Sequence, residues 1–304
     1  MPTNKLCLGD TIGIVSPSRP INKIKKKVAA GIASLQKLGF KIKIAPHFYS
    51  KFYYSAGQAK ARAKDINQMF KDKNVKAIFC STGGSSSNQM LDYLDFAVIK
   101  KNPKIFLGFS DLTVLLFSLY QKTKLMTFHG PTLYEFASLT KKSKKFLLDL
   151  FMAKLDYYSY PKEMEIYKSG KAKGKLIGGN LTLINSLLSS PYCPDLNKAI
   201  LFWEEIGDSP ATIDFKLNEL KLSGKLKDIS AMIIGYLSDC RDKKYQEDNR
   251  PIKEIVLEVT KEYSFPIIKV NYFGHDIKNF YTFPIGARVD LNTHLKQLKI
   301  VDKI

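Results

Sequence analysis

The sequence predicts an α/β fold in two domains, an N-terminal parallel-sheet, Rossmann-like domain followed by a smaller C-terminal α/β domain. Two observations carry this. Over the first 130 residues short apolar runs alternate with amphipathic, helix-length stretches, the pattern of a parallel sheet covered on both faces. From 135 to 172 the alternation gives way to Lys-, Ser- and Tyr-rich sequence, after which buried-strand runs resume. A length of 304 residues suits two domains better than one. The expected division is therefore 1–134, an interdomain connection over 135–172, and 173–304.

Taken in order, Thr11-Ile-Gly-Ile-Val15 is a buried-strand run closed by Ser16-Pro-Ser-Arg-Pro20. A helix follows, with Ile21, Ile24, Val28, Ile32 and Leu35 at three- and four-residue spacing, and it stops at Gly39. Lys41 to Ala45 reads as a strand and Gln58 to Lys71 as a helix. The strand Val75 to Cys80 leads through a loop, Ser81 to Asn88, into a short helix at Met90 to Leu94. Lys104 to Leu107 is a strand, Asp111 to Thr123 a helix, and Leu125 to Phe128 a fifth strand. Right-handed crossovers then align the C-terminal strand ends along one edge, where ligands usually bind. Beyond the connection, strands are expected at 199–203, 230–234 and 265–270, helices at 214–222 and 252–263, and a closing hairpin from Ile285 to Val301.

Composition narrows the function. Hydrophobic residues at 45% and charged residues at 25% are ordinary globular usage. The longest apolar runs fall short of a membrane span, and the first ten residues lack the apolar core of a signal peptide. Cys7, Cys80, Cys193 and Cys240 form no C-x-x-C pair, which points to reduced thiols and a cytoplasmic setting. The net charge is +20, yet only five of the 48 basic residues are arginine, and the lysines are spread along the chain. That reads as a solvated lysine surface and argues against a nucleic-acid reader, although it attracts anionic ligands.

The most informative local feature is Gly108-Phe-Ser-Asp111, where a buried strand runs through a tight turn into a helix. Such a turn lifts a side chain over the sheet edge beside unpaired helix N–H groups, as a serine nucleophile and its oxyanion require. On local pattern alone Ser110 reads first as an N-cap, since the usual G-x-S-x-G is absent. A nucleophile needs a base, and His47, His129, His275 and His294 are the candidates. Trp203-Glu-Glu205 ends a buried strand in two carboxylates, either of which could orient a histidine or lie in solvent. Thr82-Gly-Gly-Ser-Ser-Ser-Asn88 has neither G-x-G-x-x-G nor a Walker lysine, so it serves as a plain turn or offers Gly83 and Gly84 N–H groups to an oxyanion. Metal-ligand spacings are absent, and no cofactor is expected.

Read together and in this order, the motifs resemble the LD-carboxypeptidases, a serine peptidase family that includes the microcin C immunity proteins. The likeness runs through Gly9 to Pro17, Ser81-Thr-Gly-Gly84, Leu91 to Asp95, Asn102 to Thr113 and Thr127-Phe-His-Gly-Pro131. It continues through Gly178-Gly-Asn-Leu181, Leu201-Phe-Trp-Glu204, Ile213-Asp214, Gly274-His275 and Phe283 to Ala287. The resemblance implies a Ser-Glu-His triad of Ser110, Glu204 and His275, the serine in the first domain and the other two in the second. It also implies an oxyanion hole from the Asp111 N–H and one N–H of the Gly83–Gly84 pair, with Ser85 and His129 at the substrate pocket. The implied substrate is a murein tetrapeptide, cut at its L,D-peptide bond during peptidoglycan recycling, or else a peptide- or aminoacyl-nucleotide. The implied assembly is a homodimer. Phe109 replaces the family's usual Tyr, Trp203-Glu-Glu205 replaces Leu-Glu-Asp, and Thr82 and Ser85 stand where the cell-wall enzymes carry Arg and Tyr. The altered glycine loop also keeps a non-catalytic binding module open as a reading.

Overall fold

The structure is a computed structural model, and it describes residues 5–154 and 158–302. The first four residues of the leader reading, three residues of the expected connection and the last two of the chain lie outside them. The described residues group into two compact units, 5–154 with 278–286 and 158–277 with 287–302.

The first unit is built on β1 (Thr11–Val15), β2 (Lys41–Ile44), β3 (Val75–Cys80), β4 (Ile105–Gly108) and β5 (Thr127–His129), all parallel. Their connections are α1 (Lys25–Lys37), α2 (Ala59–Lys71), α3 (Phe96–Lys101) and α4 (Thr113–Thr123). The lysines of α1 are exposed while Val28 and Leu35 are buried, so the charge cluster is its solvated face. α4 is enclosed on nearly every side, as its run Val114-Leu-Leu-Phe117 requires, and Lys124 ends it in the left-handed conformation. The strand order, β5-β4-β3-β1-β2, reverses between β1 and β3. In open α/β sheets, such a reversal is where ligands usually bind, outside the C-terminal strand ends.

Two features were not legible in the periodicity. Part of the 135–172 segment is ordered on the first unit: α5 (Leu133–Phe136) is followed by α6 (Lys141–Phe151), whose Phe151 ring lies 6.0 Å from Phe79 and 4.8 Å from Phe128. In addition, residues 278–286, inside the segment 173–304, return to this unit and carry a later edge strand. Cys80 sits buried in β3 as a free thiol, and burial pushes it well above its ordinary value.

The second unit holds β6 (Tyr158–Ser159), β7 (Glu165–Lys168), β8 (Lys171–Asn180), α7 (Leu181–Leu187), β9 (Ala199–Ile206) and α8 (Pro210–Leu222). β10 (Ala231–Ser238), α9 (Ile252–Val259) and β11 (Ile267–Lys269) follow. After β12 (Phe283–Ile285), which lies antiparallel to β5, the chain ends in the hairpin β13 (Arg288–Asn292) and β14 (Gln297–Ile300). The sheet order is β6-β14-β13-β8-β9-β10-β11-β7, with β8 to β11 parallel and the outer strands antiparallel. The C-terminal ends of β9 and β11 thus lie on one edge, separated by β10. Among the described residues, no helix is long and apolar enough to cross a membrane.

Candidate active site

In the first unit β4 is wholly buried between β3 and β5, so its end is fixed on both sides. Phe109 continues it in extended backbone, and Ser110 then turns abruptly with φ +63° into a 3-10 turn, Ser110–Leu112, that runs on into α4. A β-substituted residue at that angle costs on the order of 1 kcal/mol or more. The cap positions of the 3-10 turn and of α4 belong to Phe109 and Leu112, whose side chains cannot accept an N–H. Ser110 is therefore not a helix N-cap; it occupies a strained strand-to-helix elbow.

The glycine loop lies against that serine. A Cβ at Gly83 would stand 3.1 Å from Ser110 Cβ and 3.2 Å from its Oγ, a tight approach that glycine eases. The Gly83 carbonyl accepts from the Arg19 N–H at 3.3 Å, and Gly84 backs onto Ser18 and Arg19. Ser85 is exposed on the solvent side of the loop. The Asp111 carboxylate, buried beneath, accepts the Ser87 N–H at 3.0 Å, the Ser86 N–H at 3.2 Å and the Ser18 hydroxyl. Arg62 reaches the same loop from α2, donating to the Ser86 carbonyl at 3.0 Å. Burial lowers the pKa of this guanidinium, and the charges of Asp111 and Tyr54 act against that.

His129 ends β5 fully enclosed, its ring 5.9 Å from those of both Phe109 and Phe280. It packs with those two rings beside the elbow. His47 lies on the same unit, with Nδ1 2.8 Å from the buried Asp65 carboxylate, which also accepts its N–H at 3.0 Å. His294 is exposed in the β13–β14 turn.

In the second unit the two neighbouring carboxylates part company, as residues on opposite faces of a strand must. Glu205 is tied into the fold by Asn180 Nδ2 at 2.8 Å, Thr182 N at 2.9 Å, Thr182 Oγ1 at 2.7 Å and its neighbour Ile206 N at 2.9 Å. Glu204 is completely buried, and its Oε2 lies 2.7 Å from His275 Nδ1. Its Oε1 has no hydrogen-bond partner among the described residues. The contact fixes the orientation of the imidazole, turning its Nδ1 edge toward the buried carboxylate.

The His275 loop is pinned to β10. Gly274, at φ +127°, packs so tightly that a Cβ would lie 2.7 Å from the Tyr236 carbonyl oxygen. The Tyr236 N–H donates to the Phe273 carbonyl at 2.9 Å, and the Ser238 hydroxyl donates to the Asp276 carboxylate. The residue pattern left the histidine and the glutamate open, the family resemblance implied Ser110, Glu204 and His275, and neither gave a sign of the buried contacts made by Arg62, Ser18, Ser87 and the Asp111 side chain. One signal was available: Arg62 is an arginine in a chain that otherwise prefers lysine, and a buried fork of donors requires the guanidinium.

Comparison with known proteins agrees with this arrangement of motifs. Models described as the LD-carboxypeptidase N-terminal and C-terminal domains match residues 12–130 and 173–291. The chain is 34% identical over 294 residues to the probable murein peptide carboxypeptidase of Bacillus subtilis (strain 168), covering 94% of this chain and 89% of that one. It is 31% identical over 337 residues to the microcin C7 self-immunity protein MccF of Escherichia coli, covering 98% and 95%. A solved structure of MccF in complex with aspartyl sulfamoyl adenosine matches with a TM-score of 0.91 at 28% identity, over 99% of this chain and 98% of that one. The muramoyltetrapeptide carboxypeptidase from Oxalobacter formigenes matches with a TM-score of 0.84 at 25% identity, over 96% and 99%.

Proposed function

The chain belongs to the LD-carboxypeptidase family, and from that membership we propose that this serine carboxypeptidase cuts the L,D-peptide bond of murein tetrapeptides with Ser110, His275 and Glu204. The observation that carries the reading is the Ser110 elbow, a serine held at φ +63° with the Gly83 backbone against its hydroxyl. Ser110 Oγ attacks the carbonyl carbon and passes its proton to His275 Nε2, while Glu204 holds the Nδ1 proton and stabilises the imidazolium. The oxyanion is received by the Asp111 N–H and one N–H of the Gly83–Gly84 pair. As the C–N bond breaks, His275 returns the proton to the departing D-alanine amine, leaving an acyl-serine. Water, deprotonated by His275, attacks that ester and regenerates the Ser110 hydroxyl. The net charge of +20 assists capture of an anionic substrate.

A second substrate is favoured by one feature. The loop Thr82-Gly-Gly-Ser85 departs from the Arg and Tyr of the cell-wall enzymes, and MccF, seen with aspartyl sulfamoyl adenosine, matches this chain over nearly its whole length. Hydrolysis of a peptide- or aminoacyl-nucleotide is the corresponding reaction. We place the enzyme in the cytoplasm as a homodimer, in the recycling of murein peptides; the dimer is checked by light scattering of the purified chain. Incubation with murein tetrapeptide and, separately, with aspartyl sulfamoyl adenosine decides the substrate. D-alanine release supports the main reading, and cleavage of the nucleotide supports the second. Inertness toward both would leave a binding module and defeat the enzymatic proposal.

A further inference from the structure

The Ser86–Ser87 peptide is gripped from both sides by buried charges that take no direct part in the chemistry. On one side, Asp111 Oδ2 accepts the Ser86 and Ser87 N–H groups at 3.2 and 3.0 Å, and the Ser87 hydroxyl donates to the Asp111 carbonyl at 2.7 Å. On the other, Arg62 Nη1 donates to the Ser86 carbonyl at 3.0 Å and to the Pro17 carbonyl at 2.5 Å. The remaining guanidinium donors go to the Gly57 carbonyl at 3.0 Å and Gln89 Oε1 at 2.7 Å. Both side chains are almost wholly out of solvent, at 3% and 2% exposure. A buried cation whose contacts are mostly carbonyl oxygens needs a nearby anion, and Asp111 is that anion. The residue that carries the carboxylate also follows Ser110 directly and contributes the N–H at the elbow. The loop it holds reaches back three residues to Gly83, where an added Cβ would stand 3.2 Å from the Ser110 hydroxyl.

We propose that Asp111 and Arg62 are a pair of positioning residues that clamp the glycine loop, presetting its N–H groups against Ser110 before the oxyanion forms. This rests on the serine-peptidase reading above. Without the pair, the loop has the same sequence but must be organised during the reaction, which weakens only the transition state.

The test uses the full chain and whichever of the two substrates it turns over. Asp111→Asn removes the negative charge that faces Arg62 and weakens the acceptor of the two N–H groups, and Arg62→Lys removes the fork. Each is expected to lower kcat about 10- to 100-fold with KM within about twofold, the split that marks lost transition-state stabilisation. Ser18→Ala, which removes one donor and keeps both charges, is expected to lower kcat by only about 3- to 10-fold, and it serves if the first two do not fold. Native-like kcat in folded Asp111→Asn or in Ser18→Ala, or a raised KM at unchanged kcat, overturns the clamp even if melting temperature falls. Ser110→Ala separates the two claims: turnover surviving there defeats the peptidase reading, whereas a dead Ser110→Ala beside a fully active Asp111→Asn defeats the clamp alone.

Discussion

Ser110 carries a backbone angle that disfavours any side chain, in a turn where every neighbour is buried or hydrogen-bonded. If the strain is held for function, removing the side chain releases it. Ser110→Gly is expected to abolish turnover while raising unfolding free energy by about 1 kcal/mol in urea titration; an equal or lower stability would mean that the elbow stores no strain. The same scale explains what the residue order could and could not disclose. Gly108-Phe-Ser-Asp111 and Gly274-His275 stand out because the turn and the close approach to Tyr236 need those residue types. Glu204 and Glu205 look alike in sequence and differ only in which strand face each occupies. The Asp111 carboxylate stayed hidden because its partners, Ser18, Ser86 and Ser87, are ordinary serines that only the fold brings together.

Elements buried on both faces were identified by their apolar runs, the exposed edge strand β2 by its Lys-Ile alternation, and α1 and α2 by their helical spacing. β1, β3 and β4 are continuous apolar runs, and α4 is apolar almost all round, so their type followed from composition alone. β8 was missed because its first half, Lys171-Ala-Lys-Gly-Lys175, alternates lysines to solvent and only the second half is buried. β12 was missed because it is three residues long with Pro284 inside it, which only an edge strand tolerates. α4 bears on the site most directly, since it anchors the elbow from its C-terminal side. Leu116 is fully buried there, and Leu116→Ala is expected to destabilise the protein by about 2–5 kcal/mol in urea titration; a loss below about 1 kcal/mol would show that the helix is not packed as described.

At the scale of the whole molecule, a basic surface surrounds carboxylates held in ion pairs. Hydrogen bonds from Lys43, Lys243, Arg250 and Lys221 hold Asp72, Asp239, Glu258 and Glu262, respectively, below their ordinary values. Depressed carboxylate pKa values contribute stability above the unfolded values near pH 4, and that contribution is lost as pH falls through the folded ones. Protonating them also adds positive charge to a chain already at +20. Melting temperature is therefore expected to fall between about pH 5 and pH 3, as scanning calorimetry would record, and a flat profile would contradict it. The two-unit organisation gives the central claim its sharpest form, because the proposed nucleophile, Ser110, belongs to one unit and the proposed base and acid, His275 and Glu204, to the other. The most direct measurement is the rate of substrate hydrolysis by Ser110→Ala, His275→Ala and the double variant. Residues acting as one machine give single losses nearly as large as the double loss. Losses that multiply, or turnover that survives Ser110→Ala, would contradict it.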